Sequence, residues 1–141
     1  MPELKNSEVM RHVIQSLIDI SSRKTNQGHA VLTMSDLIKK LRGKYDFLKN
    51  VEIKDTRFLE LDEPVTVMSA IDKVGPDNVG KALYDIIKTM NYALGEDAGH
   101  FFVKELKNNM NDEYLSTIEE MGLDLGVIQL EVEVEEMTRK L

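Results

Sequence analysis

The chain has no cysteine among its 141 residues, and it has only three histidines. Without cysteine it cannot form a disulfide bond, a thiolate nucleophile or a zinc site built on thiolates. It also lacks any run that approaches the roughly 20 apolar residues of a membrane-spanning helix. Residues 1–5 do not begin a basic segment followed by an apolar run, as a secretory signal would. We therefore expect a cytoplasmic protein that does not contact a membrane.

Residues that would mark an active site are equally scarce. No two of the histidines stand at the spacing of metal ligands: His12, His29 and His100. Two glycine pairs, Gly75 with Gly80 and Gly95 with Gly99, lack the Lys-Ser/Thr or third glycine of a phosphate-binding loop. We expect these glycines to end helices or to permit close packing. The sequence thus favours a protein without enzymatic activity or cofactor, although catalytic groups can converge from distant positions.

Length and composition predict one globular domain over residues 1–141, because 42% of the residues are hydrophobic and 30% are charged. The net charge of −7 opposes binding to nucleic acid or anionic lipid. The charge is unevenly distributed. Residues 1–50 hold nine Lys and Arg against five Asp and Glu, whereas residues 51–141 hold nine against twenty. We expect a basic helical part at 1–50 and an acidic helical part at 70–141.

The hydrophobic pattern predicts an α+β fold dominated by five or six helices. Apolar residues recur at spacings of three and four over residues 7–23 and 31–45, from Pro76 to Gly95, and in the segments that follow Glu96 and Asn111. Asn6 or Ser7 is expected to cap the first helix, and Gly28 to end it.

Between the helical segments the period changes to two. Val51 and Ile53, Leu59 and Leu61, and Val65 and Val67 each alternate with polar residues, which predicts a small antiparallel sheet around residues 51–69.

The C-terminal segment fits two structures. Over residues 127–134 apolar and polar residues alternate, as in a half-buried strand. The same segment belongs to a row spaced 4, 3, 4, 3 and 4 residues apart, which is the heptad spacing of a coiled coil: Leu123, Val127, Leu130, Val134, Met137 and Leu141. Residues 127–134 are therefore either helix or strand. Because such a row needs a partner surface, it predicts the interface of a homodimer.

A cluster of Glu96, Asp97 and His100 would place two carboxylates beside an imidazole on one helical face. Such a cluster is a candidate metal or proton-transfer site, although carboxylates in a first helical turn ordinarily complement the helix dipole. His100 with the adjacent Phe101 and Phe102 is a candidate cofactor or ligand site. An aromatic pair at this position more often belongs to the core.

A basic row lies on the outer side of the second helical segment: Lys39, Lys40, Arg42 and Lys44. A helix–turn–helix interpretation would place it against DNA, with the predicted strands as a wing. The acidic net charge and the missing glycine-centred turn make nucleic acid an unfavoured partner.

Together these patterns favour a non-enzymatic regulatory or scaffolding protein that self-associates and binds a protein partner. The alternatives are a small sensory domain with a ligand or cofactor between its helices, and a DNA-binding regulator that uses the basic row.

Overall fold

The computed structural model describes residues 4–54, 65–94 and 102–139. Within these ranges the chain forms six α-helices and two strands: α1 (Asn6–Lys24), α2 (Gln27–Leu41), β1 (Val51–Ile53), β2 (Val65–Val67), α3 (Pro76–Leu94), α4 (Phe102–Asn108), α5 (Asp112–Glu120) and α6 (Leu125–Arg139). Short 3₁₀ helices at Asp46–Asn50 and Ser69–Lys73 flank the strands. The predicted α+β class, predominantly helical with a small sheet, is confirmed.

The sheet contains two antiparallel strands in which Val51 pairs with Val67 and Ile53 with Val65. The Leu59–Leu61 alternation lies outside the described residues. Residues 127–134 lie within α6 and are helical. The valines that favour a strand there are outweighed by apolar side chains at helical spacing on the inner side of α6, where Leu125, Ile128 and Val132 are buried.

Helix α1 is the central element of the core. It contacts α2, α3, α4, α5 and β2, so it is covered from several sides. Its apolar side chains are accordingly buried: Val9, Met10, Val13, Ile14, Leu17, Ile18 and Ile20. Burial of each such side chain contributes about 1.5–3 kcal/mol, which makes this helix a major source of hydrophobic stabilisation.

The ends of α1 differ from the sequence-based expectation. Lys5 occupies the N-cap position without a side-chain bond. The Ser7 N–H instead donates to Asp72 Oδ1 at 2.8 Å, so the cap is supplied from the 3₁₀ helix beside β2. At the other end, the prediction that Gly28 ends α1 was wrong. Helix α1 ends at Lys24, and Asn26 starts α2 by accepting the His29 N–H at 2.8 Å.

The turn between α5 and α6 packs directly on α3. Asn111 caps α5 by accepting the Tyr114 N–H at 3.0 Å. Gly122 follows the helix with a φ of 89°, the left-handed conformation that favours glycine. Next to it, the Met121 carbonyl lies against Gly80 of α3 so closely that a β-carbon on Gly80 would be 2.2 Å from the carbonyl oxygen. Gly80 is therefore a close-packing glycine.

Candidate functional site

Helix α6 is hydrophobic on two opposite sides. Its inner side is buried against the rest of the chain through Leu125, Ile128 and Val132. Its other side carries an outer row of large apolar side chains that are mostly exposed: Val127 (49%), Leu130 (61%), Val134 (60%) and Met137 (68%). Successive residues of an α-helix turn by about 100°, so the two rows lie almost diametrically apart. The chain's own core therefore does not cover the outer row.

The outer row contains four of the six residues that the heptad spacing singles out. The prediction that Leu123 belongs to the interface row was wrong, because Leu123 is only 1% exposed and lies in the core. The reason is the turn at Gly122, after which the Leu123 N–H bonds back to the Ile118 carbonyl at 2.9 Å and the chain changes direction. Leu141 lies outside the described residues.

Polar contacts with α3 fix the orientation of α6. Lys88 Nζ lies 3.1 Å from Glu131 Oε2 and 3.0 Å from Glu135 Oε1, and its side chain is 15% exposed. Tyr84 donates a hydrogen bond to the same Glu131 carboxylate. Because these groups sit between the inner and outer sides, they hold α6 in one rotational setting with the outer row facing away from α3.

The pKa shifts agree with a permanently charged cluster. Burial disfavours the Lys88 ammonium, but its hydrogen bonds with Glu135, Glu131 and Tyr84 outweigh burial and raise its pKa. Hydrogen bonds from Tyr84 and then Lys88 lower the pKa of Glu131. The shifts favour a charged lysine beside charged glutamates, so the role of the cluster is structural.

The remaining candidate residues do not assemble into one site within the described ranges. Glu96, Asp97, His100 and Phe101 lie outside them. Phe102 begins α4 and is 1% exposed within the hydrophobic core. Among the described residues, no group of three or more His, Asp and Glu is arranged to hold a metal ion.

The basic row is divided among different neighbours. Lys44 pairs with Asp85 of α3 at 2.9 Å, and Arg42 Nη2 donates to the Val51 carbonyl at 3.3 Å. Lys39 and Lys40 are exposed on α2. The row therefore does not present four cations on one free face, as a recognition helix would need. The Lys44 partner could not be predicted from local spacing, because Asp85 lies 41 residues further along the chain.

His12 is a feature that the sequence did not single out. Its ring stacks on Tyr114 of α5, with ring centroids 4.1 Å apart and planes 18° from parallel. Its Nε2 is buried and has no hydrogen-bond partner among the described residues. Burial lowers the pKa of His12, reinforced by Arg11 and opposed by a backbone hydrogen bond with Asn109 and by Asp19.

This lowered pKa predicts a stability that declines on acidification. The folded state binds a proton at His12 less readily than the unfolded chain, so the contribution of His12 is complete above about pH 6.5 and is lost as pH falls below that value. We expect His12→Phe, which keeps an aromatic ring against Tyr114, to flatten the decline between about pH 7.5 and 5.5 in urea unfolding. His29→Phe, at an exposed position of α2, is the control. Equal pH slopes for His12→Phe and the unmodified protein would contradict the assignment.

Comparison of this chain with protein-family models, with curated proteins and with solved structures finds no significant match. In the described part of the chain, none of the helices combines the length and hydropathy required to cross a bilayer.

Proposed function

We propose that this protein is a non-enzymatic scaffolding or regulatory protein that self-associates through the outer row of α6. The observation that carries the proposal is the exposure of four large apolar side chains at heptad spacing, opposite the side that anchors the helix. Monomeric proteins seldom leave a contiguous apolar patch of this kind uncovered. We place the protein in the cytoplasm, in keeping with its lack of cysteine.

A second copy of the chain is the partner that best fits this row. In heptad notation Val127 and Val134 take position a, while Leu130 and Met137 take position d. Among parallel coiled coils, a β-branched residue at a with leucine at d favours two helices over three or four. Two identical copies would thus meet along their outer rows, each residue beside its counterpart.

The flanking charges favour a parallel over an antiparallel orientation of the two helices. With parallel helices, Glu133 at position g lies beside Thr138 at position e of the second copy. With antiparallel helices that match Val127 to Met137, Glu133 would face Glu133. Like charges at such short range are unfavourable, so the parallel pair is the better arrangement. A parallel pair would also place both domains at the same end, which suits a scaffold that presents two equal binding surfaces to a protein partner.

The absence of cysteine allows a direct test by single-cysteine crosslinking. We expect Val127→Cys and Met137→Cys, prepared separately, each to form an intermolecular disulfide under mild oxidation, because parallel helices place counterpart residues within reach. In the antiparallel alignment each new thiol would lie ten residues, about 15 Å, along the helix axis from its counterpart. A disulfide needs a Cα–Cα separation of only about 4.4–6.8 Å. Leu32→Cys, on the exposed side of α2, is the control for random collision.

The outcomes separate self-association from orientation. Sedimentation velocity of the unmodified protein over about a hundred-fold concentration range should show a monomer–dimer equilibrium. A monomer throughout, with crosslinking no faster than for Leu32→Cys, would overturn the proposed function. A disulfide that forms only when the Val127→Cys and Met137→Cys proteins are mixed would retain the dimer and reject the parallel orientation.

A further inference from the structure

A groove of about 290 Å³ lies between α2 and β1, away from α6. Its α2 wall carries Ser35, Ile38, Lys39 and Arg42, and its other wall is the strand Val51–Ile53. The first wall therefore combines one apolar side chain with a hydroxyl and two cations.

The groove opens onto the outer edge of β1. The Met68 N–H donates to the Asn50 carbonyl at 2.9 Å, so this opposed pair is hydrogen-bonded. Opposed pairs in an antiparallel ladder alternate between hydrogen-bonded and non-hydrogen-bonded pairs. The N–H and carbonyl groups of Val51 and Ile53 therefore point away from β2. The Val51 N–H donates to the Leu48 carbonyl, and the Val51 carbonyl accepts from Arg42 Nη2. For Ile53, the described residues supply no hydrogen bond on this side, so within the described part of the chain its N–H and carbonyl are unpaired.

The α2 wall of the groove is positively charged. Ser35, Lys39 and Arg42 follow one another at spacings of four and three, so they share one side of α2. Among the described residues neither cation has a carboxylate partner, and Arg42 uses only one long bond, to Val51. Glu52, which also lines the groove, is paired with Lys54 at 3.6 Å. The groove therefore offers charge-assisted donors to an incoming carboxylate.

We propose that this groove binds a short, extended acidic segment of a partner protein, which adds to the sheet as a third strand beside β1. The segment's backbone pairs with Ile53, and its carboxylates bind Lys39 and Arg42. Strand addition gives affinity through main-chain hydrogen bonds and specificity through the side chains that flank the edge. This inference goes beyond self-association and rests on residues that the α6 interface does not use.

The test uses the full chain and a fluorescein-labelled peptide of alternating glutamate and valine, six residues long, followed by fluorescence anisotropy. We expect saturable binding that Lys39→Glu weakens about ten-fold or more. The substitution replaces the cation that binds a peptide carboxylate by a second carboxylate, which repels it. Lys40→Glu is the matched control. It makes the same change of net charge on the next residue, about 100° around the helix and outside the groove. We expect Lys40→Glu to change the Kd by less than about two-fold.

Two further probes test the strand geometry and the class of ligand. The same peptide with alternate backbone nitrogens methylated keeps its charges but cannot extend the ladder, and we expect it to bind at least about ten-fold more weakly. Equal affinity for the methylated peptide, or equal losses in Lys39→Glu and Lys40→Glu, would overturn the proposal. A DNA duplex of about 20 base pairs that binds more tightly than the peptide, and loses affinity equally in both variants, would replace it with a nucleic-acid surface.

Discussion

Gly80→Ala should lower the free energy of unfolding by about 3 kcal/mol, at the upper end of the usual cost of overpacking a core. The new β-carbon would lie 2.2 Å from the Met121 carbonyl oxygen and 3.0 Å from its carbonyl carbon. Both obstacles are backbone atoms, so no side-chain rotation can relieve the contact. Helix α3 and the turn after α5 must separate instead. Urea unfolding followed by circular dichroism measures the loss, and a fall in Tm of roughly 10 °C should accompany it.

Gly43→Ala provides the matched control. The nearest atom to a β-carbon at Gly43 is the Lys40 carbonyl oxygen at 3.8 Å, which is an ordinary contact. Of the described glycines only Gly122 has a positive φ, so alanine meets no backbone strain at Gly43. We expect Gly43→Ala to be neutral or to stabilise by up to about 1 kcal/mol. If Gly80→Ala behaved like Gly43→Ala, the close packing of α3 on Met121 would be wrong.

The helices were predictable because their stabilisation is periodic along the chain. In α3 the buried residues Val79, Leu83, Ile86 and Met90 follow at spacings of four and three, so burial and helical geometry agree. The strands at Val51–Ile53 and Val65–Val67 followed from the local alternation of apolar and polar residues. Residues 127–134 were ambiguous because both faces of α6 carry apolar side chains, and an element with two apolar faces has no single hydrophobic period.

What the sequence did not reveal depends on residues far apart in the chain. The cap of α1 comes from Asp72, 65 residues after Ser7. The partner of Lys88 in the contact between α3 and α6, Glu131, is 43 residues away. Leu123 fitted the heptad row, but the turn at Gly122 directs it into the core. A one-dimensional pattern cannot distinguish an apolar residue that meets its own chain from one that faces outwards.

The long-range contacts also explain why α6 is suited to association. Its inner side chains and the Lys88 cluster fix the helix before any partner arrives, so pairing does not have to order it. Association with a prearranged surface loses less conformational entropy than folding on binding. The outer row therefore lies on a helix that already packs on its own chain, so the proposed pairing would not require it to fold.

Leu130→Glu should raise the dissociation constant of the dimer roughly a hundred-fold. The proposed two-fold symmetry would place the substitution twice in each dimer. Replacing a leucine contact by a carboxylate at about 1.5 kcal/mol per copy weakens pairing by about 3 kcal/mol. Sedimentation equilibrium measures the change. The monomer's own stability should be unaffected, because Leu130 is 61% exposed within its own chain.

Leu32→Glu separates this effect from a general loss of surface hydrophobicity. Leu32 lies on α2 and is also 61% exposed, so the two substitutions change residue type, charge and exposed apolar area in the same way. They differ only in whether the leucine belongs to the outer row of α6. We expect Leu32→Glu to leave the dimer intact. Equal weakening by both substitutions would show that charge repulsion between copies governs association, whereas selective loss with Leu130→Glu would locate the contact on α6.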